Sequence, residues 1–461
     1  MLASMPAFGG TITFLAGDLV VSVEGDGSGT GTYGDNQAAP LTLFQYTPAG
    51  TSSAAFVSSL ELPQTTVVGG NYAVSGEYGS SSEGTLQLSG NGQYLTIMGY
   101  GINADTFNAS PGTYSASSTN TALAQSGSLT GQSYTPIARV AATIDANGNV
   151  NSTTGLFNIF NGNNPRSVYS ADGTTFYVSG QGTSGDATGG VFYTTLGSSS
   201  ATSITGTDAG SGASQDTRDV QIYNNQLYVS TDSKSGATNR SNIGSLGTGT
   251  PTSCGGGSSG CPPVQLPGTG TATGKYTITA TNGNGINSSG QQINLSPENY
   301  FFANSTTLYV ADSGSGKQTS ATSPDGDGGL QKWSLVSGSW VLDYTVSAGL
   351  NLVANTATKS TDTSGTTGLY GLTGEVVGNQ VYLYATNETI ADLDPTYLYG
   401  VTDTLSATTN PGDTFTQLAA APADSNFKGV SFAPQTPEPA TFALVGLGLA
   451  GLIAARRRRA V

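Results

Sequence analysis

Side chains able to do acid–base, nucleophilic or metal chemistry are sparse in this sequence. It contains no histidine and two cysteines, and Asp, Glu, Lys and Arg together make up 9% of its 461 residues. Without imidazole, Ser-His-Asp and Cys-His catalysis, histidine-based zinc sites and imidazole proton shuttling are excluded. Several of the remaining charges fall into a pattern. Glu83, Arg166, Arg218, Glu298 and Lys428 each open an alternating apolar segment, with a residue near Gly371 in the matching place of a weaker copy. If those segments are equivalent strands, the five side chains share one rim of a channel. Charges of both signs there either form a ring that binds a polar ligand, such as a sugar or a carboxylated polymer, or pair across neighbouring units and hold them together. Alternating sign is what pairing selects, so the structural role is the expected one.

Calcium is the other chemistry on offer. "DANGNVN", opening on Asp145, places oxygens at alternate positions, and "SPDGDGG" supplies Asp325 and Asp327. Neither has the glycine and late bidentate glutamate of an EF-hand loop, and Asp, Asn and Gly are expected in tight turns anyway, so both read as turns. No metal cofactor is expected. Cys254 and Cys261 in "CGGGSSGCPP" lack neighbours that would complete a zinc site; they read as a disulfide closing a flexible loop in an oxidising compartment, the alternative being two unpaired loop thiols. No spacing singles out a catalytic pair of carboxylates.

These residues are set among hairpins. "EGTLQLSGNGQYLTIMGY", "RSVYSADGTTFYVSGQG", "RDVQIYNNQLYVSTDS" and "ENYFFANSTTLYVADSG" each join two alternating strands through a turn of Asp, Asn, Gly or Ser type, with second strands centred on Tyr94, Tyr177, Tyr228 and Tyr309. "GEVVGNQVYLYATNET" is a weaker copy centred on Tyr382. Further strand-like runs follow each hairpin, so the unit is about four strands long, and its repetition without helical periodicity predicts an all-β protein. The expected architecture is a β-propeller of six or seven four-stranded blades, the seventh lying within 245–296; the competing reading is a parallel β-solenoid. "FKGVSFAP", from Phe427, supplies only a first strand and "AGDLVVSVEGDG" only a second, so one blade is expected to be built from both chain ends.

The formal net charge is −15 even with Arg456, Arg457, Arg458 and Arg459 counted, which makes nucleic acid an improbable partner. Those arginines follow a short apolar run, 440–455, that reads as a single membrane-spanning helix held by a cytoplasmic cationic block. The N-terminal stretch has no basic region, and 1–16 reads as a truncated or atypical leader preceding a body over 17–434.

Pro437-Glu438-Pro439, the apolar run and the arginine cluster, taken in that order over 435–461, resemble the PEP-CTERM protein-sorting signal of Gram-negative bacteria. The resemblance implies recognition and cleavage by exosortase, transient anchoring in the inner membrane, and delivery to the cell surface or extracellular matrix. The body resembles propeller-type regions of uncharacterised bacterial surface proteins. The function expected on these grounds is a non-enzymatic binding or structural role linked to exopolysaccharide and biofilm. The alternative is a secreted propeller hydrolase or lactonase using carboxylates and calcium.

Overall fold

A computed structural model describes residues 12–183, 185–206, 216–232, 241–254, 260–268, 277–278, 293–294, 296–314, 328–352 and 365–436. Among the described residues the chain is all-β apart from one six-residue helix, α1 (Ala104–Ala109), and a single 3-10 turn at Pro111–Tyr114. Its strands are, in chain order, β1 (Leu19–Gly25), β2 (Ala38–Pro48), β3 (Ala54–Glu61), β4 (Ser75–Glu77), β5 (Leu86–Leu88), β6 (Tyr94–Tyr100), β7 (Arg139–Asp145) and β8 (Val150–Leu156). Next come β9 (Pro165–Ser170), β10 (Thr175–Gly180), β11 (Gly190–Thr195), β12 (Thr202–Ser203), β13 (Thr217–Tyr223), β14 (Gln226–Asp232), β15 (Ser241–Ser245) and β16 (Val264–Gln265). After the two-residue pair β17 (Thr277–Ile278) and β18 (Ile293–Asn294) follow β19 (Pro297–Asn304), β20 (Thr307–Asp312), β21 (Gly329–Val336) and β22 (Ser339–Val346). The last five are β23 (Thr366–Val377), β24 (Gln380–Thr389), β25 (Tyr397–Thr404), β26 (Thr416–Ala420) and β27 (Ser425–Phe432).

All pairings between these strands are antiparallel, which is not the ladder of a parallel solenoid. Among the described residues they form six four-stranded sheets, counted from the N-terminus: β27 with β1, β2 and β3 as the first, then β5 to β8, β9 to β12, β13 to β16, β19 to β22 and β23 to β26. The short β4 bridges β2 and β6. The described part of 245–296 supplies β16 and the β17–β18 pair, and the rest of that stretch lies outside the described residues. First strands are neighbours in order: β5 lies against β9, β9 against β13, β13 against β19, β19 against β23, β23 against β27, and β27 against β5.

The sequence makes these hairpins by turn chemistry and period. Asn224 and Asn225 both sit at positive φ (46° and 59°) between β13 and β14, as do Ser337 and Gly338 between β21 and β22. Two consecutive left-handed residues give the turn whose twist matches that of the flanking strands. Period-2 alternation then sends successive side chains to opposite sheet faces. Along β10, Phe176 and Val178 enter the core against Met98 and Ala141 of the preceding sheet, whereas Tyr177 enters the core shared with Val220 and Val229 of the next. Each such aromatic or aliphatic side chain contributes about 1.5–3 kcal/mol by burial. Phe14, upstream of β1, is 3% exposed in the core of the second sheet and its amide donates to Ala146 O.

A polar device joins one sheet to the next. Ser22 Oγ donates to Gly84 O, Thr96 Oγ1 to Val168 O, Ser179 Oγ to Arg218 O, Ser230 Oγ to Glu298 O and Thr386 Oγ1 to Lys428 O. In every case a hydroxyl on a second strand reaches the first strand of the following sheet, or the turn just before it. Three of these hydroxyls also accept an amide from their own first strand: Gly429 N, Asp219 N and Gly371 N bond Ser22, Ser230 and Thr386 at 2.8, 3.0 and 2.9 Å. Those amides are free because the first strands bulge there. The register slips opposite Ser22 at Lys428-Gly429, opposite Ser230 at Arg218-Asp219 and opposite Thr386 at Tyr370-Gly371, so two residues face one. Arg166 and Glu298 lie at further slips in β9 and β19.

The bulges bring backbones close enough to exclude a side chain. A Cβ on Gly429 would stand 2.1 Å from Leu86 N, and one on Gly371 would stand 2.7 Å from Lys428 O. Gly429→Ala is therefore expected to lower stability by at least the roughly 1–3 kcal/mol typical of overpacking, read as a fall in the denaturant midpoint at unchanged slope.

Candidate functional site

The structure places the five rim candidates together at one end of the six first strands, and each is 2–7% exposed. Four stand at bulges, which turn their side chains out of the regular alternation. On one side, Arg218 Nη1 lies 3.3 Å from Glu298 Oε2, on the next sheet. Arg218 Nε is 3.6 Å from Asp216 Oδ1, Arg218 Nη2 is 3.9 Å from Asp232 Oδ2, and Arg166 binds the same Asp216 oxygen. Charges so deeply buried are stable only when opposed, and here the opposition runs between sheets.

On the other side Glu24 faces Lys428, and Glu77 and Glu83 stand near the Arg139 guanidinium. Lys428 Nζ is 3.9 Å from Glu24 Oε2 and donates to Ser80 O. Glu83 accepts from Asn164 Nδ2 at 2.6 Å, from Tyr100 OH and from Glu77 N. Arg139, stacked 4.6 Å over the Tyr100 ring, donates instead to Ser126 O and Phe160 O. Burial pushes the Glu24, Glu77 and Glu83 carboxyls upward, and mutual repulsion adds to it at Glu24 and Glu77. Glu24 and Glu77 have no counterpart in the hairpin alignment, because they come from the second sheet position and from the bridging strand β4.

The expected rim residue near Gly371 is Tyr370. The bulge aims it past β27 to β5, where its hydroxyl donates to Glu83 O at 2.7 Å and lies 3.0 Å from Thr85 Oγ1. It is buried and closes the space between the first strands at the charged end. One layer deeper, Asp219 accepts from the side-chain amides of Gln87 (2.6 Å) and Gln221 (2.5 Å). Burial pushes this carboxyl up to about 8 despite those bonds. Beyond it opens a cavity of about 120 Å³ to which all six first strands contribute, through Leu88, Tyr169, Gln221, Phe301, Thr373 and Ser431.

The remaining sequence candidates separate. Cys254 and Cys261 are disulfide-bonded and pack beside Ile204, Val220 and Leu246 between the third and fourth sheets. Asp145 caps its own turn, accepting from Asn147 N, Asn149 N and Asn149 Nδ2 at 2.8–2.9 Å. Asp325, Asp327, Pro437, Glu438, Pro439 and Arg456 to Arg459 lie outside the described residues, as does the apolar run. Among the described residues no group of three or more His, Cys, Asp or Glu side chains is placed to hold a metal ion, and no helix is long and apolar enough to cross a membrane.

One cluster had no sequence signal. Between the fifth and sixth sheets, Lys332 Nζ lies 2.8 Å from Asp403 Oδ2 and donates to Thr404 O at 2.6 Å; Tyr344 OH donates to Asp403 Oδ1 at 2.6 Å and Tyr309 OH donates to Oδ2. Burial would raise Asp403, yet these donors hold it below the usual carboxylate range, while burial and the Asp403 charge push Asp413 up to about 7. The cluster stands at the junction where the second-strand hydroxyl is missing, since Ala311 occupies the place held by Ser230 in the preceding sheet. It is an inter-sheet latch.

The strands define an all-β body of four-stranded antiparallel sheets with a cluster of buried charges at one end of its first strands. Residues 435–459 match the PEP-CTERM protein-sorting motif. That motif implies processing by exosortase, export and a place at the cell surface. No curated protein matches the chain. Among solved structures it is similar to an oligogalacturonate lyase in complex with manganese, at 8% identity and TM-score 0.36, over 84% of this chain and 92% of that one. A GH74 xyloglucanase from Xanthomonas campestris matches at 8% identity and TM-score 0.35, over 89% of this chain and 46% of its own length. An ancestral GH74 enzyme matches at 10% and 0.21, over 89% and 64%.

Two measurements check the electrostatics. With a folded value of about 8 and an unfolded one near 3.9, native Asp219 keeps its proton where the unfolded chain has lost it. Its contribution is full below about pH 4 and declines as pH rises towards about 8. Unfolding free energies of the wild type are thus expected to fall relative to those of Asp219→Asn over that interval, and parallel curves would refute the assignment. Lys332→Met leaves Asp403 buried without its cation and is expected to lower stability by roughly 3–5 kcal/mol in denaturant titration.

Proposed function

We propose that residues 17–434 form a six-bladed β-propeller closed by the pairing of β27 with β1, that 435–461 act as a sorting signal with a membrane segment over 440–455, and that the protein serves at the cell surface as a non-enzymatic structural and binding module contacting exopolysaccharide. The reading is carried by the internal pairing of the charges. In a chain with so few ionisable groups, the rim arginines, the lysine and their carboxylates are buried against one another, where they hold sheets in place. Sequential contact of the six first strands supports the ring, since closure leaves no first strand without a neighbour.

Replacing Pro437, Glu438 and Pro439 by alanine in the host is expected to leave an unprocessed chain in the membrane fraction and to deplete the surface-exposed form, read by immunoblotting of fractions. Wild-type protein released from cells should sediment with the host's own exopolysaccharide. Failure to sediment, together with an unchanged matrix in a deletion strain, would overturn the binding role and leave the sorting result standing.

A further inference from the structure

The cavity beyond Asp219 is built differently from the charged end. Gln87 and Gln221 both direct Nε2 at Asp219, which fixes the orientation of the two amides and leaves each Oε1 as an acceptor without a hydrogen bond among the described residues. Asn299 is fixed in the opposite sense: its Oδ1 accepts Tyr300 N at 2.7 Å, leaving Nδ2 as a donor. Tyr300, 1% exposed, also lines the cavity, and its hydroxyl makes no hydrogen bond of good geometry among the described residues, with the Gln221 backbone amide beside it. Buried polar groups left unpaired cost roughly 1–3 kcal/mol each, so this lining favours a partner offering both donors and acceptors.

We propose that this cavity is a binding site for a small uncharged polyhydroxy compound, a polyol or a single sugar residue. No ionised side chain lines it, so a charged ligand would lose hydration without a counter-charge. Leucine side chains and the ring of Phe301 supply apolar surface for the C–H face of such a ligand, and the amides meet its hydroxyls. A volume of about 120 Å³ lies below the roughly 300–1,000 Å³ of sites for drug-sized ligands, which limits the occupant to one unit. Tyr370 closes the charged end, so entry is from the side of Thr373, which is half-buried. The inference rests on the arrangement of the first strands and not on the exopolysaccharide role.

The full chain is titrated with erythritol, glucose and glucuronate by ligand-observed NMR, alongside Thr373→Trp, which fills the mouth. The expected result is binding of erythritol or glucose, binding of glucuronate weaker by at least about tenfold, and loss of binding by a similar factor in Thr373→Trp at an unchanged unfolding temperature. A folded Thr373→Trp variant that binds as the wild type does would overturn the proposal. Equal binding of glucuronate, or no binding of either neutral compound, overturns it on the wild type alone, whether or not the variant folds. Any of these failures leaves the sorting and matrix experiments untouched.

Discussion

The structure depends on a three-part interaction repeated around the first strands. A bulge frees a backbone amide; a serine or threonine on the second strand accepts it; and the same hydroxyl gives its own proton to a carbonyl of the following sheet. Lys428-Gly429 with Ser22 and Gly84, Arg218-Asp219 with Ser230 and Glu298, and Tyr370-Gly371 with Thr386 and Lys428 show it in full. An unpaired backbone amide at such depth would be destabilising, so the bulge and the hydroxyl require each other. Each hydroxyl thus satisfies its own sheet and fixes the distance to the next.

The electrostatics follow from the same bulges. By turning Arg166, Arg218, Glu298, Lys428 and Tyr370 out of alternation, they gather four charged side chains at one end. There charge must be neutralised by pairing or by retained protons. Arginines take the first route through Asp216, Asp232 and Glu298, and burial drives the Glu24 and Glu77 carboxyls, and Glu83 less strongly, towards the protonated form. Where Ala311 removes the hydroxyl, Lys332 and Asp403 with two tyrosines join the sheets instead. Sheet-to-sheet cohesion is therefore polar at its centre and apolar in its cores.

Much of this was legible residue by residue. The turn types at Asn224-Asn225 and Ser337-Gly338, the alternation around Tyr94, Tyr177, Tyr228 and Tyr309, and the cysteine spacing are local properties, and the structure has the hairpins and the disulfide they imply. The five charges at the ends of the first strands stand out in the sequence because they sit at equivalent places in aligned hairpins. The stitching hydroxyls lay in plain view two residues after Tyr94, Tyr177 and Tyr228, at Thr96, Ser179 and Ser230. By that rule the last hairpin is centred on Tyr384, with Thr386 following, and not on Tyr382: the Tyr370-Gly371 bulge shifts the strand relative to any alignment that assumes a regular pairing.

What escaped the sequence has one cause. Glu24, Glu77, Asp219, Lys332 and Asp403 meet partners 47 to 404 positions away, in Lys428, Ala124, Gln87 and each other, and no local pattern marks them. The sequence by itself determined strand type, turn, sheet class, the scarcity of chemistry and the sorting signal, since each is fixed by residues a few positions apart through backbone geometry and patterning. Only the tertiary structure decided which charges face which, where Tyr370 points, and that an uncharged cavity lies behind a charged rim. Those outcomes turn on bulges that change side-chain direction by one residue and on burial, which sets whether a carboxyl keeps its proton.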